Sequence, residues 1–191
     1  ARQTHTMFGP DEVMRSFAHS DPSQWGVVPR ALEQLFSALA GRPAGQAFAV
    51  QCSYVEVYND HLYDLLGERK PVSIHQSATG GGCVVEGLTH APSTSTAEAI
   101  ALLTRGNSLR VTAAMKMNPR SSRGHAIFTV HVVEVSATGG ERGGKLTLVD
   151  LAGMESSKKS YAVEGPSNNP ARREEAKAIN QSLYALGSVV E

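Results

Sequence analysis

The sequence predicts an α/β domain, and three observations carry that prediction. Apolar residues alternate with period two over Ala47–Tyr58 and again over residues 126–136, the pattern of half-buried strands. They recur at helical spacing over residues 26–39 and from Ala171 onward, where Ala176, Ile179, Leu183, Leu186 and Val190 share one stripe. An apolar run over residues 145–151 carries Asp150 at its end, which is how an α/β sheet delivers a carboxylate to the edge where ligands bind.

The elements follow in order. After Gly9 and Pro10 a short polar stretch leads to the helix at 26–39, where Pro29 suits the first turn and Val28, Leu32, Leu35, Phe36 and Leu39 form the apolar face. Residues 41–45 read as a turn. The strand at Ala47–Tyr58 is rich in β-branched and aromatic residues, and Asn59-Asp60 then reads as the cap of a short helix carrying Leu62, Leu65 and Leu66. Residues 73–87 read as short strands around the glycines at 80–82. Ser95 with Glu98 three residues on is a capping box, opening a helix through Ile100 and Leu103 that Gly106 is expected to end. Residues 111–124 read as a polar loop. The strand at 126–136 places Ile127, Thr129, His131, Val133 and Val135 on one face. Gly139-Gly140 and Gly143-Gly144 are expected to turn the chain into the strand at 145–151, and a long loop with Gly165, Pro166 and Pro170 precedes the closing helix. There is no internal repeat and no low-complexity tract.

The chain has 191 residues, 41% hydrophobic and 19% charged, which fits one folded domain with a sizeable core. Eighteen basic residues balance eighteen acidic ones, so no overall field draws the chain to a polyanion, and a charged docking face must be local. No nucleic-acid partner is expected. Cys52 and Cys83 fit neither zinc nor CxxC spacing and imply no disulfide framework, so a reducing compartment is the expectation. No apolar run reaches membrane-spanning length and no membrane partner is expected. Both ends read as abrupt, and the expectation is a partial domain over residues 1–191, incomplete at both ends.

Two segments carry the chemistry. The first is Lys145-Leu-Thr-Leu-Val-Asp-Leu-Ala-Gly-Met-Glu155. In nucleotide triphosphatases an aspartate at the end of such a strand holds Mg²⁺ through water, and a glycine three residues on offers its N–H to the γ-phosphate. Gly153 suits that approach because any side chain would obstruct it. An ordinary turn after a strand has the same composition. The second is Asn118-Pro-Arg-Ser-Ser-Arg-Gly-His125, just before the strand expected to pair with that of Asp150. Two adjacent hydroxyls and an arginine supply the oxygen ligands and fixed cation that a γ-phosphate and its Mg²⁺ need. Taken alone, that octapeptide reads more readily as a solvated Ser/Arg loop or a phosphorylation site.

Together these segments resemble the kinesin family. Residues 118–125 match its switch I pattern except at Gly124, and residues 150–155 match its switch II pattern except at Met154. Thr4-His-Thr-Met7 looks like the end of its P-loop. Gly26-Val-Val-Pro-Arg-Ala31, Tyr54-Val-Glu-Val-Tyr-Asn-Asp60 with Tyr63-Asp-Leu-Leu66, and Ile179-Asn-Gln-Ser-Leu183 with Leu186-Gly187 extend the resemblance along the chain. It implies a P-loop NTPase-like motor fold, a central mixed β-sheet flanked by helices. It also implies ATP/ADP and Mg²⁺ as cofactors, microtubule-stimulated ATP hydrolysis, and a cytoplasmic, cytoskeletal location. Dimerisation would run through regions outside this chain.

The roles transfer residue by residue. Thr4 would ligate Mg²⁺ directly, Ser122 would join its shell, and Asp150 would act behind a water. His5 would lie against the adenine, with Asn118, Ser121 and Gly153 also at the nucleotide. Arg123 and Glu155 would form the salt bridge closing switch I on switch II. Ser121 and Glu155 would be polar partners of the attacking water, and Gly153 would sense the γ-phosphate. Lys158, Lys159, Arg172, Arg173 and Lys177 would face acidic tubulin, although Glu155, Glu164, Glu174 and Glu175 among them also suit an ordinary solvated surface. His125 is expected to support the switch loop through a hydrogen bond.

The P-loop departs from the pattern. Aligning Thr4 with the family threonine puts Gln3 at the phosphate-binding lysine and Arg2 at the final glycine. Either Ala1 to Gln3 belong to a truncated end, the preferred expectation because the match resumes abruptly at Thr4, or the alternative holds, a non-hydrolysing microtubule-binding protein with a failed nucleotide site. A P-loop GTPase is a third reading. Gly124 in place of serine is expected to loosen switch I.

Overall fold

The computed structural model describes residues 2–43, 47–77, 82–117, 124–135, 141–153 and 170–190. The long strand expected at Ala47–Tyr58 (β1) forms over that span, and the sheet is built outward from it. On one side, His125–Val135 (β6) pairs with β1 from Ala47↔Val135 to Val57↔His125, and Glu141–Asp150 (β7) pairs with β6 from Val135↔Glu141 to Ala126↔Asp150. On the other side lie His61–Asp64 (β2), Lys70–Gln76 (β3) and Cys83–Glu86 (β4), and the two-residue Ala91–Pro92 (β5) adds to β1. The order is β4-β3-β2-β1-β6-β7, with every described pairing antiparallel.

The helices are Arg2–Phe8 (α1), Asp11–Arg15 (α2), Val27–Ala40 (α3), Thr96–Met117 (α4) and Pro170–Val190 (α5). The core forms where α3 and α4 meet one face of β1 and β6. Val28, Leu32, Ile100 and Leu103 pack there against Cys52, Tyr54, Phe128 and Val130, all at most 2% exposed. Fully burying one such side chain contributes roughly 1.5–3 kcal/mol. The Tyr54 and Phe128 rings meet edge to face at 5.4 Å, a favoured aromatic geometry. α1 packs against α3 and β7.

Four local expectations need correction. Asn59-Asp60 caps no helix. Both residues take positive φ, 49° and 60°, making the two-residue turn that joins β1 to β2. Asn and Asp serve caps and left-handed turns alike, so their type could not decide between the two. Gly106 does not end α4, which runs on to Met117 through half of the expected loop at 111–124. The glycine is needed for contact: an added Cβ would stand 2.8 Å from Tyr54 Cε1 and 3.2 Å from Leu65 Cβ. Gly143 and Gly144 lie inside β7, opposite Val133 and Val132, rather than in a turn. Finally, the polar stretch after Gly9 is partly helical, holding α2 and two 3-10 turns.

The capping box forms one residue out of register. The Glu98 amide donates to Ser95 Oγ at 3.2 Å, while the Glu98 carboxylate accepts from the Thr94 amide at 2.6 Å rather than from that of Ser95.

Candidate functional site

The site is assembled by backbone pairing. Asp150 closes β7 directly opposite Ala126, the second residue of β6. The chain preceding β6 and the chain leaving β7 therefore start from adjacent rungs of one ladder. Residues 118–123 and 154–155 connect to those rungs. Asn118, Ser121, Ser122, Arg123 and Glu155 themselves lie outside the described residues, as do Lys158 and Lys159. Whether Arg123 meets Glu155 is thus outside the described structure.

Asp150 is 6% exposed, and its surroundings explain its state. Burial raises its pKa above the ordinary carboxylate value, and the guanidinium of Arg110 on α4 pulls the other way. Arg110 Nη1 stands 3.7 Å from Asp150 Oδ2, while its Nη2 donates to the Gly124 carbonyl at 3.0 Å. Its Nε lies 3.6 Å from Glu56 Oε1, and Glu56 Oε2 accepts from Arg69 Nε at 2.9 Å. Arg69 in turn stacks over the Tyr63 ring at 4.2 Å. Asp150 Oδ1 is buried with no hydrogen-bond partner among the described residues. A buried carboxylate oxygen with nothing to accept from is costly, and a hydrated cation would satisfy it. The residue therefore fits a water-mediated Mg²⁺ contact.

His125 links the two sides of the ladder. Its Nδ1 accepts from the Ala152 amide at 3.1 Å, on the chain leaving β7. Its Nε2 contacts Ser182 Oγ on α5 at 2.8 Å. Gly153 is exposed, and an added Cβ would meet nothing within 4 Å. The described protein does not itself demand glycine there. Gly124 is the reverse case: it is buried, and a Cβ would stand 3.1 Å from Glu56 Oε1 and 3.2 Å from the Val57 carbonyl. The glycine permits the close approach of the start of β6 to β1, while the loop it was expected to loosen, residues 118–123, lies outside the described residues.

Thr4 and His5 lie on α1, and the Thr4 side chain lies outside the described residues. His5 is exposed and lines a cleft of about 480 Å³ with Trp25, Gln24 and Pro10. Arg172, Arg173 and Lys177 lie on α5; of their side chains only Lys177 is described, and it is exposed. Sequence reasoning missed Glu56, Arg69 and Arg110. The available signal was Glu56 itself, a charge inside the apolar alternation of β1 that needs a partner if buried.

A sequence model of the kinesin motor domain matches residues 2–191. The chain belongs to the kinesin motor family. Among curated kinesins, it is 38% identical to Kinesin-like protein KIN-5C of Arabidopsis thaliana, an alignment covering 98% of this chain and 19% of that protein. It is 39% identical to Kinesin-like protein 3 of Schizosaccharomyces pombe, covering 98% and 32% respectively. Kinesin heavy chain of Neurospora crassa is 36% identical, covering 95% and 19%. Among solved kinesins, the fold matches "Structure of a fast kinesin: Implications for ATPase mechanism and interactions with microtubules" with a TM-score of 0.79 at 35% identity. That match covers 97% of this chain and 49% of that one. The α/β kinesin fold expected from the sequence is therefore the fold observed, and the chain spans about half of that solved kinesin. Among the described residues no helix is long and apolar enough to cross a membrane.

Proposed function

We propose that this chain is the switch-bearing region of an ATP-driven microtubule motor acting in the cytoplasm. The observation that carries the reading is the pairing of Ala126 with Asp150, which starts both switch segments from neighbouring rungs beside a buried carboxylate oxygen without a hydrogen-bond partner among the described residues. Thr4 and Ser122 would hold Mg²⁺ directly and Asp150 through water. When bound, Mg²⁺ supplies charge neutralisation at the phosphates. The work of the chain's own residues is positional. Arg123 and Glu155 close switch I on switch II, Ser121 and Glu155 orient water, and Asn118 and the Gly153 N–H contact the nucleotide. Gly153 suits this role because the space a side chain would fill is open. The cleft beside His5 has the size of a small-ligand site, which supports an aromatic contact with adenine. Lys158, Lys159, Arg172, Arg173 and Lys177 form the tubulin-facing surface.

A second reading has its own observation. Gln3 carries no charge where the family pattern has lysine, and Arg2 lacks the freedom of glycine. A microtubule-binding protein without turnover fits that departure. The experiment is Mg²⁺-dependent binding of a fluorescent ATP analogue by the intact protein, with phosphate release measured with and without microtubules. The motor reading predicts binding and release that microtubules accelerate. Microtubule binding without phosphate release supports the second reading, and failure to bind microtubules in any nucleotide state refutes both.

A further inference from the structure

The His125 ring is held at both nitrogens by two different elements. It is 7% exposed and belongs to the first residue of β6. An amide N–H can only donate, so Nδ1 is the acceptor for Ala152 and carries no proton. The ring hydrogen therefore sits on Nε2 and is donated to Ser182 Oγ at 2.8 Å. Ser182 Oγ donates its own hydrogen to the Ile179 carbonyl at 2.8 Å, so every proton in the chain of bonds has a direction. The partners lie 27 and 57 residues away in sequence, one on the strand exit after Asp150 and one within α5.

We infer that His125 is a positioning residue that couples the backbone at Ala152 to helix α5, so that a displacement of either is transmitted to the other. The use of this coupling rests on the motor reading; its geometry does not. β6 is paired on both edges, by β1 and β7, so the ring is mounted on an interior strand of the sheet. Ala152 lies between Asp150 and Gly153, on backbone that must shift if Gly153 answers a phosphate. On the α5 side, Ala178 and Ile179 are buried while Lys177 faces solvent. Hydrogen bonds of this kind weaken steeply beyond a few tenths of an ångström, and losing either leaves a buried polar atom unpaired.

The test separates the two bonds in the intact protein. His125→Asn places an amide near Nδ1 and keeps the Ala152 contact alone; His125→Gln reaches the Nε2 position and keeps the Ser182 contact alone. Ser182→Ala removes the α5 end without touching the ring. The readout is the ratio of microtubule affinities with a non-hydrolysable ATP analogue and with ADP. Each single variant should reduce that ratio by about fivefold or more, and His125→Asn with Ser182→Ala should cost no more than either alone. Ratios unchanged in all three variants, or additive losses, would overturn the coupling and leave the motor reading standing. Amide hydrogen exchange at Ala152 supplies a measurement independent of motor function. Ser182→Ala should accelerate it, and unchanged exchange would overturn the coupling even if the protein proved not to be a motor.

Discussion

Glu56 faces two arginines at once, Arg69 and Arg110, with Asp150 the second carboxylate at Arg110, and the Glu56, Arg69 and Arg110 side chains are at most 19% exposed. Replacing it by the isosteric Glu56→Gln keeps the volume and removes the charge. Breaking a buried ion pair from one side costs roughly 3–5 kcal/mol, because the remaining charge stays desolvated. The expected outcome is a fall in the urea midpoint at unchanged slope, and a variant as stable as the parent would show the network to be solvent-screened. At the same scale, His125 and His131 are both held below the ordinary value of 6.5. For each, burial is the largest cause; Arg110 adds to it at His125, while Asp150 there opposes, and His90 and Lys145 add to it at His131. A histidine with a lowered folded-state pKa binds its proton more readily when unfolded, so stability rises with pH through that window. The contribution should be complete above pH 6.5 and lost as the pH falls below it. Denaturation midpoints across that range check the sign, and His125→Asn should flatten part of the slope.

At the scale of elements, α4 decides how much of the site could be read in advance. The long strand β1, helix α3 and the ladder that brings β6 beside β7 were legible, because period-two and period-3.6 patterns report directly on which face is buried. Gly106 was misread because a glycine marks a helix end by its backbone freedom, whereas here it lets α4 approach the Tyr54 ring, a contact no local pattern encodes. Ending the helix there left Arg110 beyond it and hid the counter-ion of Asp150. The switch segments were read from residue types, hydroxyl, arginine and carboxylate, and Ser121, Ser122, Arg123 and Glu155 lie outside the described residues. The Glu56 network was not legible, because its members come from three separate elements. Gly106→Ala tests the packing account. Helix propensity alone would gain about 1 kcal/mol. Overpacking against Tyr54 and Leu65 should cost roughly 1–3 kcal/mol. Net destabilisation is the expected outcome in thermal unfolding, and a stabilised variant would refute the close approach.

For the whole molecule, the proposed motor would join a nucleotide edge, a transmission helix and a charged docking surface. The net charge of zero means that attraction to an acidic filament must come from a local patch. Lys158→Ala with Lys159→Ala should weaken microtubule co-sedimentation, more so at low than at high salt because surface charges are screened within about 10 Å at 0.1 M. Unchanged co-sedimentation would remove both lysines from the interface. The central claim is that residues 118–123 and 154–155 close on each other over one triphosphate. A double-mutant cycle on Arg123 and Glu155 tests it most directly, read as microtubule-stimulated phosphate release by the intact protein. If the two act as one clasp, Arg123→Ala and Glu155→Ala should each suppress release by about 100-fold or more, and the double variant should lose no more than the worse single. Turnover unaffected by Arg123→Ala, or losses that simply multiply, would contradict the account.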